Sequence, residues 1–235
     1  MSRAVIRAIW GTHDRSSRTI ARRFNVDRDA KYVKKNKYEV PFIVYGYGEE
    51  NCKQMEDFGF NVYMIDKHYA PFDLVNHQYR HKLEIIKYAM EVDKYDEILF
   101  LDWDCRPFRN VPGDMWEIFH KKSIMQANLQ QYNRRKCFWR SSDQRKLPNA
   151  GFLYIGDKSL PDKIIKAWEE SPGNSAEPPI AKVMDDMSGG WKGMDYYWEH
   201  FEPELCNLHI RSVYADDKIN QKDFCFVHRQ GVITL

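Results

Sequence analysis

The sequence predicts an α/β fold, in which a sheet of buried strands is covered by helices on both faces. Three apolar segments, residues 4–10, 40–45 and 97–101, have the length and composition of buried strands. Glycines follow the first two, at Gly11 and Gly46, where loops are expected. Helical patterns separate the later strands, and this alternation is typical of an α/β sheet with two covered faces.

The segments between these strands predict further elements. Residues 52–58 indicate a short helix that ends at Gly59, and residues 60–65 indicate another strand. Between residues 78 and 92 the apolar side chains follow a helical period, at Leu83, Ile86, Tyr88, Ala89 and Met90. Residues 170–179 are rich in Ser, Gly and Pro and predict a loop.

Composition excludes several classes of protein. A chain of 235 residues that is 43% hydrophobic can form its own core. Lys and Arg number 36 against 34 Asp and Glu, which excludes a uniformly basic coat protein and a disordered polyelectrolyte. We expect a cytoplasmic protein, because no 18-residue apolar run and no secretory signal occur. The five cysteines lack CxxC spacing and predict reduced, buried thiols.

Charge is unevenly distributed along the chain. Residues 1–40 hold eleven Lys and Arg against four acids, and residues 121–147 hold eight against one. Residues 185–204 hold six acids and one lysine. Two basic segments in a nearly neutral chain favour an anionic ligand or partner.

Two carboxylates, Asp102 and Asp104, directly follow the buried strand at residues 97–101. Ligands of open α/β sheets bind at the carboxyl ends of the strands. Two like charges in a poorly hydrated crevice need a cationic partner, and a hard divalent ion is the simplest one. A solvated turn is the alternative for such a triplet. Pro107, just beyond it, is typical of a site loop.

Residues 95–105, YDEILFLDWDC, resemble the DxD region of nucleotide-sugar-dependent glycosyltransferases of the GT-A fold. The helix at residues 80–90 is similar to the one that precedes this region in the family. Residues 147–155 resemble the family's strand with an Asn-Ala-Gly entrance, and residues 226–231 resemble its C-terminal HxxG. The resemblance implies a GT-A-like, Rossmann-related mixed sheet.

The resemblance also implies the domain organisation and the activity. We expect one domain over residues 1–235, with the nucleotide-sugar-binding half in 1–110 and the acceptor-side half in 111–235. The implied activity is metal-dependent transfer of a hexosyl or pentosyl group from a nucleotide diphosphate sugar, a UDP-sugar, to an acceptor hydroxyl.

The same resemblance implies the donor site. Asp104 and His228 are expected to ligate Mn²⁺ or Mg²⁺, and Asp102 to contact the ribose or the metal; an imidazole ligand favours Mn²⁺. As an alternative to a metal ligand, His228 is an ordinary half-buried histidine. As an alternative to donor binding, Arg80 and Lys82 form a solvated helix face. The other expected donor-binding residues are Trp10, Gly11, Thr12, Arg80, Lys82, Trp103 and Gly231.

Two residues are candidates for catalysis. Asp195 follows the glycine-containing segment 189–193 and is a candidate general base or acceptor-orienting group, with a helix cap as its alternative. Asn149 opens the Asn-Ala-Gly segment and is the second candidate, with a turn as its alternative. The Asn-Ala-Gly and HxxG segments look more like those of retaining families, so retention is favoured over inversion.

The acceptor is open between a saccharide or lipid-linked glycan, a hydroxymethylated base in DNA, and a protein or small molecule. Tyr132, Phe138 and Trp139 alternate with cationic side chains, a pattern that suits a phosphate backbone with stackable bases. The cationic side chains are Arg134, Arg135, Lys136, Arg140, Arg145 and Lys146. A DNA acceptor implies a bacteriophage-type DNA glycosyltransferase that acts in the host cytoplasm.

Two other functions share part of this pattern. A divalent-metal nucleotidyltransferase also uses paired acids on an α/β sheet, but it typically has a glycine-rich, basic loop after the first strand. Residues 11–15 lack the repeated glycines of such a loop. A non-enzymatic nucleic-acid-binding module explains the basic segments and leaves the acidic pair and the HxxG segment unexplained.

Overall fold

The computed structural model describes residues 1–9, 17–36, 40–65, 80–107, 116–117, 124–125, 150–170, 176–188, 207–211 and 226–230. Its strands are β1 Arg3–Ile9, β2 Phe42–Gly46, β3 Asn61–Met64, β4 Glu97–Leu101, β5 Cys105–Pro107, β6 Ile124–Met125, β7 Phe152–Ile155, β8 Asn207–Arg211 and β9 Phe226–Gln230. Its longer helices are α1 Ser17–Arg23, α2 Val26–Asn36, α3 Glu49–Asp57, α4 Arg80–Glu91, α5 Leu160–Glu170 and α6 Glu177–Ser188.

Six of the described strands form the main sheet, in the order β3, β2, β1, β4, β7, β6. Strands β1 to β4 are parallel, with Val5 opposite Phe42 on one side and Leu99 on the other. Strand β7 is antiparallel to β4 and to β6, with Leu101 opposite Phe152. The sheet is therefore mixed, as predicted. The carboxyl ends of β1, β2 and β4 meet at one edge of it.

Successive side chains of each strand point to opposite faces of this sheet, so both faces are apolar. Helices cover both of them. Val5 belongs to one buried cluster and Ile6 to the other. The first cluster takes in side chains from α1, α2 and α3, namely Ile20, Ala30 and Met55. The second takes in side chains from α4, α5 and α6, namely Ile86, Ile164 and Ile180. The predicted covering of both faces is confirmed.

A smaller sheet has the order β5, β9, β8. Strand β5 begins one residue after Asp104 and is antiparallel to β9, with Cys105 opposite His228. Strand β8 is parallel to β9, with Asn207 opposite Phe226. Strand pairing therefore holds the HxxG segment next to the acidic pair.

The predicted elements of the amino-terminal part agree with the observed β1, β2, α3, β3, α4 and β4 to within three residues at each end. Helices α1 and α2 were not predicted. In α2 the buried positions Val26 and Ala30 and the partly buried Val33 do follow a helical period, but Lys, Arg and Asp fill all but one of the positions between them. The helix is recognisable only by its narrow apolar stripe.

The predicted loop at residues 170–179 is partly wrong. Helix α5 ends at Glu170, but α6 already begins at Glu177, so Pro178 and Pro179 lie in its first turn. Proline is tolerated there because the first backbone N–H groups of a helix have no partner within it. None of the helices in the described ranges combines the length and the apolar character needed to cross a membrane.

Candidate active site

The acidic turn, residues 102–104, lies at the carboxyl end of β4. The Asp102 backbone N–H donates to the Gly151 carbonyl oxygen at 2.8 Å. The Cys105 N–H donates to the Asp102 carbonyl oxygen at 3.0 Å and closes the turn. The structure thereby brings the acidic pair into contact with Ala150 and Gly151, the described part of the Asn-Ala-Gly segment.

The ammonium group of Lys82 is bonded to this turn. Its Nζ lies 2.8 Å from Oδ1 and 2.9 Å from Oδ2 of Asp102, and it donates to the Ala150 carbonyl oxygen at 2.9 Å. It also lies 5.0 Å from the ring centroid of Phe100, a cation–π distance. Lys82 is only 4% exposed, so the alternative of a solvated helix face is wrong for this residue. The ammonium offsets the charge of Asp102.

Asp104 is half-buried, as Asp102 is, and the residue after it, Cys105, pairs with His228. The backbone of His228, the predicted imidazole ligand, therefore lies opposite the residue that follows Asp104, the predicted carboxylate ligand. Among the described side chains, no group of three His, Cys, Asp or Glu could hold a metal ion. The side chain of His228 lies outside the described residues, and its role as a ligand stays a prediction.

Trp103 points into the core. Its ring is 2% exposed, and its Nε1–H donates to the Ala8 carbonyl oxygen at 2.7 Å. Phe60 meets it edge to face at 5.8 Å between ring centroids. Because the indole is buried, a contact between Trp103 and the donor would come from the backbone of Trp103. The indole anchors the acidic turn to β1.

Arg80 joins α4 to α5. Its Nε lies 2.9 Å from Oε1 of Glu84, and its Nη1 lies 2.9 Å from Oε1 of Glu169. The guanidinium carbon lies 5.6 Å from the ring centroid of Trp168. These contacts stabilise the helix pair, and the predicted phosphate contact of Arg80 stays a prediction.

Several predicted site residues lie outside the described residues. For the donor site these are Trp10, Gly11, Thr12 and Gly231, and for catalysis Asn149 and Asp195. The same holds for the cations of the basic segment, Arg134, Arg135, Lys136, Arg140, Arg145 and Lys146.

Sequence reasoning missed a buried ion pair behind the acidic turn. Arg7 Nη1 donates to Oδ2 of Asp29 at 3.1 Å, and both side chains are at most 3% exposed. Burial raises the pKa of Asp29, and the charge of Arg7 opposes this shift. The signal was present in the sequence, because an arginine in the middle of an otherwise apolar strand needs a buried partner.

A second missed residue is His81, beside Lys82 in the first turn of α4. It is fully buried, and its ring lies 4.4 Å from that of Tyr47. Burial lowers the pKa of His81 to about 3, because removal of water disfavours the imidazolium. The ring is therefore neutral at physiological pH and acts as part of the core.

Comparisons with known proteins place this arrangement among glycosyltransferase folds. Neither the protein-family models nor the curated proteins contain a match. Among solved structures, a glycosyltransferase involved in the glycosylation of the major capsid of PBCV-1 aligns with a TM-score of 0.54 at 13% identity. The alignment covers 99% of this chain and 94% of that one.

Two further solved structures agree. Mouse xyloside xylosyltransferase 1 aligns over the whole of both chains, with a TM-score of 0.52 at 11% identity. The glycosyltransferase GlyE of Streptococcus pneumoniae TIGR4 aligns with a TM-score of 0.50 at 15% identity, over 87% of this chain and 46% of its own. This chain thus spans about half the length of GlyE. Identities this low establish the fold alone. The chain has the predicted GT-A-like α/β fold.

Proposed function

We propose that this chain is a metal-dependent glycosyltransferase that moves a sugar from a UDP-sugar to an acceptor hydroxyl. The observation that carries the proposal is the acidic turn. Asp102 and Asp104 follow β4 at the carboxyl edge of a sheet whose solved neighbours are glycosyltransferases. Strand pairing adds His228 at the next register position.

The residues of the turn fit a divalent ion. Asp104 offers carboxylate oxygens, and an imidazole from His228 would complete an N,O donor set that suits Mn²⁺. When bound, the ion supplies positive charge that stabilises the departing diphosphate. Because Lys82 already holds both oxygens of Asp102, we assign metal binding mainly to Asp104 and His228.

The remaining roles follow the order of the strands at this edge. Trp10, Gly11 and Thr12 follow β1 and are proposed to receive the nucleoside. Lys82 holds Asp102 in place for the ribose. In the transfer, the bond from the anomeric carbon to the diphosphate breaks and a bond to the acceptor oxygen forms. UDP leaves, and the acceptor hydroxyl passes its proton to a base, for which Asp195 is the candidate.

The acceptor side is proposed from sequence. Asn149 and Asp195 are assigned to the reacting sugar and the acceptor, and the transfer is proposed to retain the anomeric configuration. We propose a saccharide hydroxyl as the acceptor. The basic segment, residues 132–146, favours hydroxymethylated DNA as the second candidate, because it interleaves cations with aromatic side chains.

A thermal-shift experiment tests the donor site. A saturating UDP-sugar with Mn²⁺ should raise the melting temperature by roughly 5–10 °C, as ligand linkage predicts for a chain of this size. EDTA should abolish the rise, and so should Asp104→Asn. The exposed Asp57 at the end of α3 gives a matched control, and Asp57→Asn should keep the full rise. An equal rise in Asp104→Asn contradicts the proposed site.

Three incubations separate the candidate reactions. With labelled UDP-sugar, label in a glycan mixture supports a saccharide acceptor, and label in hydroxymethylated DNA supports the DNA acceptor. Release of pyrophosphate from a nucleoside triphosphate identifies a nucleotidyltransferase instead. Stabilisation by DNA alone, without metal and without transfer, identifies a binding module.

A further inference from the structure

The buried pair of Arg7 and Asp29 is an unusual feature of this core. Both side chains are at most 3% exposed, and their closest atoms lie 3.1 Å apart. Burying two charges carries a desolvation cost that the ion pair repays only in good geometry, and apolar replacements of such pairs are often neutral for stability. Stability alone is therefore a weak explanation for this pair, and its other contacts indicate what it does.

Arg7 reaches the acidic turn from behind. Its second terminal nitrogen, Nη2, donates to the Cys105 carbonyl oxygen at 2.5 Å. Its guanidinium carbon lies 4.6 Å from the ring centroid of Trp103, the middle residue of the turn. The next residue of β1, Ala8, accepts the indole hydrogen bond of Trp103 at 2.7 Å. Two consecutive residues of β1 thus hold the turn at two points.

We propose that Arg7, fixed by Asp29, is a positioning residue that sets the geometry of the acidic turn and thereby of the donor and metal site. The inference rests on the proposed function for its effect on metal binding. Arg7 acts through its contacts with Cys105 and Trp103. The carbonyl that Arg7 holds belongs to Cys105, the residue that pairs with His228, so this contact ties the start of β5 to β1.

The chain contains a matched control pair. Arg3, four residues earlier on β1, contacts the carboxylate of Glu97, which is 1% exposed and also accepts from Tyr154 Oη at 2.7 Å. This pair lies at the amino end of β1 and β4, about 13 Å along the strand from Arg7 at ~3.3 Å per residue. The acidic turn follows the opposite, carboxyl end of β4.

The experiment compares Arg7→Lys with Arg3→Lys. Lysine keeps the charge opposite the buried acid, but its single ammonium cannot reproduce the fork that joins Asp29 to the Cys105 carbonyl. In Arg7→Lys we expect Mn²⁺ affinity, measured by electron paramagnetic resonance of the free ion, to fall by about 10- to 100-fold, as for other residues that support metal ligands. Arg3→Lys should keep the wild-type affinity.

Hydrogen exchange gives a readout that needs no metal. The Asp102 amide donates to the Gly151 carbonyl, and the Cys105 amide closes the turn by donating to the Asp102 carbonyl. We expect both amides to exchange about tenfold faster in Arg7→Lys than in Arg3→Lys, with the amides of β1 as the internal reference. Asp29→Asn should show the same local effect, and it serves as the second variant if Arg7→Lys does not fold.

The outcomes separate the two proposals. If Arg7→Lys shows the same exchange in the turn and the same Mn²⁺ affinity as Arg3→Lys, the positioning role of Arg7 is overturned. Faster exchange spread evenly over all strands also overturns it, because that result reports a general loss of stability. If the wild-type protein binds no Mn²⁺ and transfers no sugar, the proposed function fails, and local exchange in the turn still decides the role of Arg7.

Discussion

The ammonium nitrogen of Lys82 lies 2.8 and 2.9 Å from the two carboxylate oxygens of Asp102. This pair joins the first turn of α4 to the end of β4, and the third bond of Lys82, to the Ala150 carbonyl, extends the connection to the segment just before β7. One side chain therefore connects three parts of the chain around the acidic turn. Of the two acids, Asp102 is the one whose charge Lys82 offsets.

The first prediction concerns the stability of this connection. Lys82→Met leaves a largely buried carboxylate and a buried carbonyl without their donor, and we expect the free energy of unfolding to fall by roughly 3 kcal/mol. Urea denaturation measures the loss. Lys31→Met is the control, because Lys31 and Asp27 form an exposed pair within α2, for which we expect a loss below about 1 kcal/mol.

A double-mutant cycle sharpens this test. The double variant Lys82→Met and Asp102→Asn no longer holds an unpaired carboxylate, so it should be more stable than Lys82→Met alone. If the stability losses of the two single variants simply add in the double variant, Lys82 stabilises the fold through contacts other than the one with Asp102.

The second prediction is a pH dependence that arises from His81. Its pKa falls from about 6.5 in the unfolded chain to about 3 in the folded protein, so the unfolded state binds more protons between these values. The contribution is fully present above pH 6.5 and is lost as the pH falls towards 3. Between pH 6 and 4 it should lower the free energy of unfolding by about 1.4 kcal/mol per pH unit.

His81→Phe tests this slope, since phenylalanine keeps an aromatic ring against Tyr47 and cannot bind a proton. We expect the variant to lose stability less steeply than the wild type between pH 6 and 4, by urea unfolding at each pH. Equal slopes in the two proteins would show that the imidazole titrates alike in the folded and unfolded states.

The third prediction concerns Gly46, the last residue of β2. A β-carbon at this position would lie 2.7 Å from Cγ1 of Ile9 and 2.8 Å from Sγ of Cys52, closer than real contacts. Overpacking of this kind costs about 1–3 kcal/mol, so we expect Gly46→Ala to lower the urea midpoint. Adding Cys52→Ala removes one of the two close contacts and should recover part of the loss. No recovery would mean that the strand end shifts to make room.

The parts of the fold that sequence predicted well are those in which local pattern and burial agree. Strand β4 contains a continuous apolar run, residues 98–101, and the acidic turn directly follows it, so the place and the end of the strand were both readable. Helices α1 and α2 were missed because the cations of residues 1–40 dominate their composition. Those cations had indicated an anion-binding segment, whereas the structure shows that part of the segment forms helices on one face of the sheet.

For the candidate site, the sequence named individual residues, whose roles stay predictions, but it could not predict the contacts between them. Lys82 and Asp102 were both expected at the donor, yet their bond to each other joins positions 20 residues apart and follows from the way α4 packs on β4. The pairing of Cys105 with His228 is still less local. Trp103 was expected at the donor because of its place in the motif, and only the tertiary structure shows that its indole lies in the core.

The account depends most directly on Asp104 and a divalent ion. Release of UDP from a UDP-sugar, measured with Mn²⁺, with EDTA, and for wild type beside Asp104→Asn and Asp57→Asn, tests it in one assay. We expect release by the wild type and Asp57→Asn with Mn²⁺, and at least a hundredfold less with EDTA or in Asp104→Asn, as is usual when a group that stabilises the departing charge is removed. Undiminished release in EDTA or in Asp104→Asn would contradict the account.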